Sequence, residues 1–172
     1  KISDEWTFLF YPLDEPESQN GGWVGLSDIA PLGGGEFLVL ERDNQGGPDA
    51  AIKRIYKISL VSMDELTMVS KELMYDLIPQ LHEPNGNVYE KVEGLAVTSQ
   101  RYVWINNDND GVDDNSGEQQ LMNLGQLLPL DCNNNDDVCG EDEVCECSSS
   151  SRLRSRALLL GSISNLHCVC VA

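Results

Sequence analysis

Short apolar segments separated by loops rich in glycine, proline and acidic residues recur along the chain as far as Leu127. Their length and their β-branched and aromatic content are typical of strands rather than helices. Ser70–Leu77 also fits a helical stretch, and we interpret it as a strand. The pattern predicts an all-β fold with strands at Trp6–Pro12, Val24–Ala30, Phe37–Leu40, Ile52–Leu60, Ser70–Leu77, Val92–Thr98, Tyr102–Asn106 and Gln120–Leu127.

Two parts of this pattern resemble each other. VGLSDIAPLGGGEFLVLERDN and EKVEGLAVTSQRYVWINNDNDG each contain a strand, a turn and a buried strand that ends in acidic and amide side chains. Ala30 and Ala96 are separated by the same offset as Asp43 and Asn109. A unit that recurs in this way predicts a repeat-built β architecture, and its strands have the layout of a propeller blade. Two blades do not close a ring, so we predict a partial, propeller-like fold. Either the chain is a piece of a larger propeller, or it forms an open pair of sheets with exposed edges.

The composition changes to Asn, Asp, Ser and Cys after Leu130. We therefore predict a propeller-like domain over residues 1–129 and an acidic, cysteine- and serine-rich, mostly irregular tail over residues 130–172. The apolar end of the tail is shorter than the roughly 20 residues that a spanning helix needs. No membrane span is predicted; a lipid-anchor signal around Ser148–Ala172 is the alternative.

The net charge of −18, from 29 acids and 11 bases, argues against nucleic acid and anionic membranes as partners. No Lys or Arg lies between Arg101 and Arg152, a window that is dense in Asp and Glu. After Asp131 these acids predict a solvated loop. Multivalent cations are the other physical use of so much negative charge.

All six cysteines lie in the tail, and their clustering predicts disulfides and an oxidising compartment, hence a secreted or cell-surface protein. Zinc is the alternative, although the spacing contains no CxxC motif. The first residues, KISDEWTFLFYPLD, predict a strand rather than a signal peptide. Six cysteines allow fifteen pairings, so the sequence assigns no partners among Cys132, Cys139, Cys145, Cys147, Cys168 and Cys170.

Asn106, Asp108, Asp110 and Gly111 have the oxygen ligands and the turn glycine of the first half of a calcium loop. An EF-hand is excluded because Gly117 stands at the twelfth position and strands flank the motif. A non-helical site for Ca²⁺ or Mg²⁺ stays open, with Asp43 of the upstream unit as a further ligand. The alternative is that these residues cap a strand and its turn.

Glu93 begins one predicted strand and Glu41 ends another, where a carboxylate is costly unless it is paired or binds a metal. Arg42 and Lys53 are candidate partners, or ligands for an anionic substrate; surface salt bridges are the alternative. The chain contains no G-x-S-x-G elbow, so serine catalysis is not predicted. It contains no phosphate loop or dinucleotide fingerprint, so no organic cofactor is predicted.

VEGLAV followed by WINNDND, with FLVLERDN, KRIYKISL and KELMYDL upstream, resembles the phytase-like family, also described as "esterase-like activity of phytase". The resemblance covers Trp6–Leu127, and the order of its blocks makes it specific. It implies a propeller-like β fold and metal-assisted hydrolysis of phosphoesters or other esters. The residues at the matching motif positions are Glu41, Arg42, Asp43, Glu93, Asn107, Asp108 and Asn109.

Two functional hypotheses follow. In the first, Glu93, Asp108 and Glu41 are catalytic acids, Arg42 and Lys53 bind a small anionic ester, and Ca²⁺ assists the reaction. In the second, the chain is a non-catalytic, secreted propeller module that binds a ligand or partner and uses Ca²⁺ for rigidity. Propellers host both kinds of function, so the fold does not choose between them.

Overall fold

A computed structural model describes residues 7–61, 63–82, 88–108 and 119–128, together with the backbone of two strands at residues 144–149 and 166–171. Most of the described chain is antiparallel β-structure. The strands are β1 Val24–Gly33, β2 Glu36–Asp43, β3 Lys53–Ser59, β4 Lys71–Asp76, β5 Val92–Val97, β6 Tyr102–Asn107, β7 Leu121–Gln126, β8 Val144–Ser149 and β9 Leu166–Val171.

The first four strands form sheet 1, an antiparallel meander in the order β1-β2-β3-β4. Gly33, Gly34 and Gly35 make the tight turn between β1 and β2, with φ of 90°, 59° and 82°. These left-handed angles favour glycine, which explains the triple glycine. Strands β5, β6 and β7 form sheet 2, also a meander. The prediction of an all-β fold is confirmed, and sheet 1 has the strand layout of one propeller blade.

The main core lies between the two sheets. Leu38, Leu40 and Ile55 of sheet 1 pack with Leu95 and Ile105 of sheet 2 in one buried cluster. Removal of these apolar side chains from water drives the two sheets together. Polar contacts connect the sheets as well, because the Leu95 N–H donates to Asp28 Oδ2 at 2.8 Å and Arg101 Nη1 donates to the Leu32 carbonyl at 2.9 Å.

The opposite face of sheet 1, called the outer face below, carries a second, smaller core. Val39, Ile58 and Val69 are its buried residues, and Leu9 and Tyr11 pack on them from an N-terminal segment. The predicted strand in this segment is reduced to a single bridge between Phe10 and Met68. Pro12 follows, and its missing N–H prevents a longer strand pairing. Both faces of sheet 1 are therefore covered by apolar contacts.

A short helix, α1 (Ile78–His82), was not predicted. Its start is marked by Asp76, whose Oδ1 accepts the Ile78 N–H at 3.0 Å. Pro79 lies in the first turn, where its missing N–H costs nothing. Leu81 of the helix is buried in the main core. The segment was predicted as a loop because five helical residues are too few to show a helical period.

The tail contains strands β8 and β9, where no strand was predicted. They pair antiparallel, and their register places Cys145 opposite Cys170 and Cys147 opposite Cys168. These pairings are those of the backbone. The cysteine side chains, with Cys132 and Cys139, lie outside the described part of the chain, and so does the predicted disulfide chemistry.

Candidate functional site

Strand β2 ends in three consecutive charged residues, and strand alternation sends the first two to opposite faces of sheet 1. Glu41 lies on the outer face, opposite Arg54 of β3. Arg42 lies on the face that meets sheet 2, opposite Lys53. Asp43 closes the strand. Two polar clusters therefore form back to back across one sheet.

Arg42 and Glu93 form an ion pair, called the inter-sheet pair, which connects β2 with the start of β5. Arg42 Nη2 donates to Glu93 Oε1. Its Nε donates to Ser27 Oγ at 3.1 Å, and its Nη1 donates to the Asp43 carbonyl at 3.2 Å. The Arg42 side chain is 7% exposed and that of Glu93 is 35% exposed. The cation is thus held from several sides, whereas the carboxylate has an edge open to solvent.

Asp43 and Lys53 form a second, fully buried ion pair behind the inter-sheet pair, with Lys53 Nζ 2.5 Å from Asp43 Oδ1. Lys53 Nζ also donates to the carbonyls of Asp43 and Gln45, at 2.9 and 2.8 Å. Three acceptors match the three protons of an ammonium group. The structure therefore places the predicted anion ligand Lys53 inside the protein with its donors in use.

The Asp43 carboxylate organises the loop that follows β2. Its Oδ2 accepts the N–H groups of Ala51 and Ile52 at 2.7 and 2.9 Å, and its Oδ1 accepts that of Gln45 at 3.3 Å. Burial alone would raise the pKa of Asp43, but hydrogen bonds from Lys53 and from these backbone groups outweigh burial and lower it. Both carboxylate oxygens of Asp43, a predicted metal ligand, therefore accept hydrogen bonds from this chain.

The predicted calcium motif is only partly inside the described chain. Asn106 lies against Gly94, where a Cβ would overlap the Asn106 amide, and the buried Asn107 accepts the Gln120 N–H at 2.6 Å. The Asp108 N–H donates to the Lys91 carbonyl at 2.9 Å. Asn109 and Asp110 lie outside the described residues. Among the residues that are described, no group of three His, Cys, Asp or Glu side chains is placed to hold a metal ion.

The cluster on the outer face, called the outer-face network, was not predicted apart from Glu41. The fully buried Glu41 accepts from the Tyr11 hydroxyl at 2.9 Å, the Asp14 N–H at 2.6 Å and Lys71 Nζ at 2.8 Å. Asp14 accepts from Arg54, Tyr56 and Lys71, each at 2.6 Å. The network attaches the N-terminal segment to sheet 1.

The pKa values in the outer-face network reflect these contacts. Burial alone would raise the pKa of Asp14, but hydrogen bonds from Lys71, Tyr56 and Arg54 lower it to about 2. Burial raises the pKa of Tyr11 and of Tyr56 above the ordinary value, and hydrogen bonds to Glu41 and Asp14 respectively raise them further. At neutral pH the Asp14 carboxylate is therefore charged, and Tyr11 and Tyr56 are neutral phenols.

Lys71 contributes to the outer-face network in a second way. Its ammonium lies 4.1 Å from the centroid of the Tyr56 ring and 5.2 Å from that of Tyr11. These cation–π contacts help to hold a desolvated lysine. Sequence reasoning missed the network because Asp14 was assigned to a loop and Lys71 to a distant strand. The signal in the sequence was a loop with three acids, Asp14, Glu15 and Glu17, of which Asp14 and Glu17 accept from Arg54.

Two further features lie near these clusters. Trp23, which immediately precedes β1, is exposed beside Arg42, with 5.5 Å between the guanidinium carbon and the ring centroid. A largely apolar cavity of about 380 Å³ lies on the outer face, lined by residues such as Leu26, Ile29, Val39 and Ile58. Ser27, whose Oγ accepts from Arg42 of the inter-sheet pair, also lines this cavity.

The fold and the site define an all-β protein of two packed antiparallel sheets with an ion pair at the ends of the strands that meet. The sequence model of the family described as "Phytase-like: Esterase-like activity of phytase" matches residues 1–111. The chain belongs to this family, and the resemblance predicted from the sequence is confirmed. The match includes both members of the inter-sheet pair. No curated protein and no solved structure matches the chain.

Across the described residues, no helix has the length and apolar character needed to cross a membrane.

Proposed function

We propose that the chain carries part of the active site of an ester hydrolase, with phosphoesters as the preferred class, and that the inter-sheet pair is its reactive centre. The observation that carries the proposal is the open edge of Glu93, whose side chain is 35% exposed beside a buried arginine. Glu41 and Asp43, the other predicted acids of these strands, are buried with both carboxylate oxygens hydrogen-bonded. Glu93 is therefore the best-placed proton acceptor of the three.

The two side chains suit complementary roles. A guanidinium binds the oxygens of a phosphoryl group in a planar, bidentate fashion, so Arg42 orients the anionic end of the substrate. Glu93 accepts a proton from the water that attacks the phosphorus or the acyl carbon. The alcohol leaves with the electron pair of the broken ester bond and takes up a proton from solvent. Since the substrate anion competes with Glu93 for Arg42, binding frees the carboxylate for this role.

Turnover of p-nitrophenyl phosphate and p-nitrophenyl acetate by the full chain tests the proposal. Glu93→Gln keeps the size of the side chain but cannot accept the proton, so we expect kcat to fall by roughly 10²-fold or more. Glu72→Gln, on an exposed position of β4, is the matched control and should keep full activity. Circular dichroism and the melting temperature establish that both variants are folded. Full activity in folded Glu93→Gln would overturn the proposal.

The non-catalytic module is the second candidate, and one observation favours it. Arg42 already donates to Ser27, Asp43 and Glu93, which is the pattern of a structural contact between sheets. In that case the wild type turns over neither ester, and Glu93→Gln changes only the melting temperature. Repeating the melting curves with Ca²⁺ and with a chelator tests the structural ion proposed for Asn106 and Asp108, because bound calcium stabilises the folded state.

A further inference from the structure

An exposed indole beside the inter-sheet pair is the feature that the proposed reaction leaves unexplained. Trp23 is 54% exposed, although its ring is among the largest apolar surfaces a protein can bury. It lies 5.5 Å from the guanidinium carbon of Arg42, which in turn holds Glu93. Ring, cation and carboxylate therefore follow one another at the same end of the two sheets.

The backbone around Trp23 fixes the position of the residue. The Trp23 N–H donates to Asn44 Oδ1 at 2.8 Å, and the Asn44 N–H donates back to the Trp23 carbonyl at 3.1 Å. The ring lies over Gly25, where a Cβ would come within 2.8 Å of it. A larger residue at position 25 would therefore displace the indole. An aromatic side chain that is held in this way and still exposed is preorganised for stacking, because little entropy is lost on binding.

We propose that Trp23 is a specificity-determining residue that stacks on the aromatic ring of an aryl phosphoester whose phosphate binds Arg42. The inference rests on the proposed function for the anionic end of the substrate and adds the class of its alcohol. An aromatic ring is favoured as the partner because the exposed indole offers an apolar π-face on which a second ring can stack.

Two phosphonates that are not hydrolysed distinguish the contribution of an aromatic ring to binding from that of the anionic group. Phenylphosphonate and methylphosphonate carry the same anionic group, and calorimetric titration of the full chain gives their affinities. We expect phenylphosphonate to bind roughly 2- to 10-fold more tightly, the range expected from one aromatic pair. Trp23→Leu should abolish this preference, measured as the ratio of the two affinities, whereas Trp23→Phe should retain part of it.

Leu121→Ala, a change at another exposed apolar residue, is the control and should keep the wild-type preference. The inference is overturned if Trp23→Leu still prefers phenylphosphonate, if the wild type binds both compounds equally, or if neither compound binds. Phenyl phosphate turnover by the wild type reports separately on the proposed function. A wild type with the ring preference but without turnover would refute hydrolysis and leave the stacking role of Trp23 established.

Discussion

Glu41 and Arg42 are neighbours in the sequence, but they belong to clusters that differ in how completely they are closed. On the outer face, Glu41 and Asp14 accept hydrogen bonds from Tyr11, Tyr56, Arg54 and Lys71. Between the sheets, the cation is enclosed and Glu93 keeps an edge open to solvent. Two consecutive residues of β2 therefore belong to a buried, hydrogen-bonded network and to an ion pair whose carboxylate is accessible to solvent.

The comparison shows that a charged residue at the end of a strand has no fixed meaning. A carboxylate with all its acceptor sites filled stabilises the fold, because its burial is compensated by hydrogen bonds. A carboxylate that keeps a free edge beside an arginine is available for substrate or water. Exposure and hydrogen-bond saturation, rather than the type of residue, separate the two clusters.

The largest loss of stability is expected for a substitution of Asp43, which follows Arg42 at the end of β2. Asp43→Asn removes the charge that compensates the buried Lys53, and an unpaired buried ion costs roughly 3–5 kcal/mol. Urea denaturation monitored by circular dichroism measures the free energy of unfolding. Asp49→Asn, in the same loop, is the matched control and should stay within about 0.5 kcal/mol of the wild type.

Adding Lys53→Met to Asp43→Asn sharpens this result. The double variant has no buried charge left to compensate, so it should recover part of the lost stability. Equal unfolding free energies for Asp43→Asn and Asp49→Asn would show that the buried pair contributes nothing. In that event the ion pair between Asp43 and Lys53 would not stabilise the end of β2.

Asp14→Asn should lower stability by less than Asp43→Asn does and should leave turnover unchanged, and this distinguishes the two clusters. Asp14→Asn weakens the acceptor shared by Arg54, Tyr56 and Lys71, and we expect the free energy of unfolding to fall by roughly 1–3 kcal/mol. Turnover per folded molecule should not change in Asp14→Asn, whereas Glu93→Gln should lose turnover per folded molecule. The comparison fails if Asp14→Asn reduces kcat as strongly as Glu93→Gln does.

The smallest effect is the pH dependence of the contribution that Asp14 makes to stability. The pKa of Asp14 is lowered from 3.8 to about 2, so its stabilising contribution is complete above the unfolded value and is lost as the pH falls towards 2. The stability difference between wild type and Asp14→Asn should therefore be constant near neutral pH and shrink between about pH 4 and 2. Denaturation curves at a series of pH values measure it, and a difference that persists at pH 2 contradicts the assignment.

Local pattern was sufficient for the strands of sheets 1 and 2, because alternation and apolar runs are properties of a few consecutive residues. It was insufficient for Lys53, for which the sequence left a surface salt bridge open. The face of β3 that carries Lys53 packs against sheet 2, so Lys53 is buried beside Asp43. The outer-face network was also beyond local pattern, since Asp14 and Lys71 meet only when the N-terminal segment lies across the outer face.

The sequence by itself determined the all-β class, the family and the list of charged residues at the strand ends, because each depends on residues close together in the chain. Tertiary structure alone decided which of those residues are buried and hydrogen-bonded and which keep an edge exposed to solvent. Packing of the two sheets placed Arg42 against Glu93, and the outer face of sheet 1 brought Lys71 of β4 to Glu41 of β2. Burial then set their availability, since whether a charge is solvated, paired or hydrogen-bonded depends on what the fold packs around it.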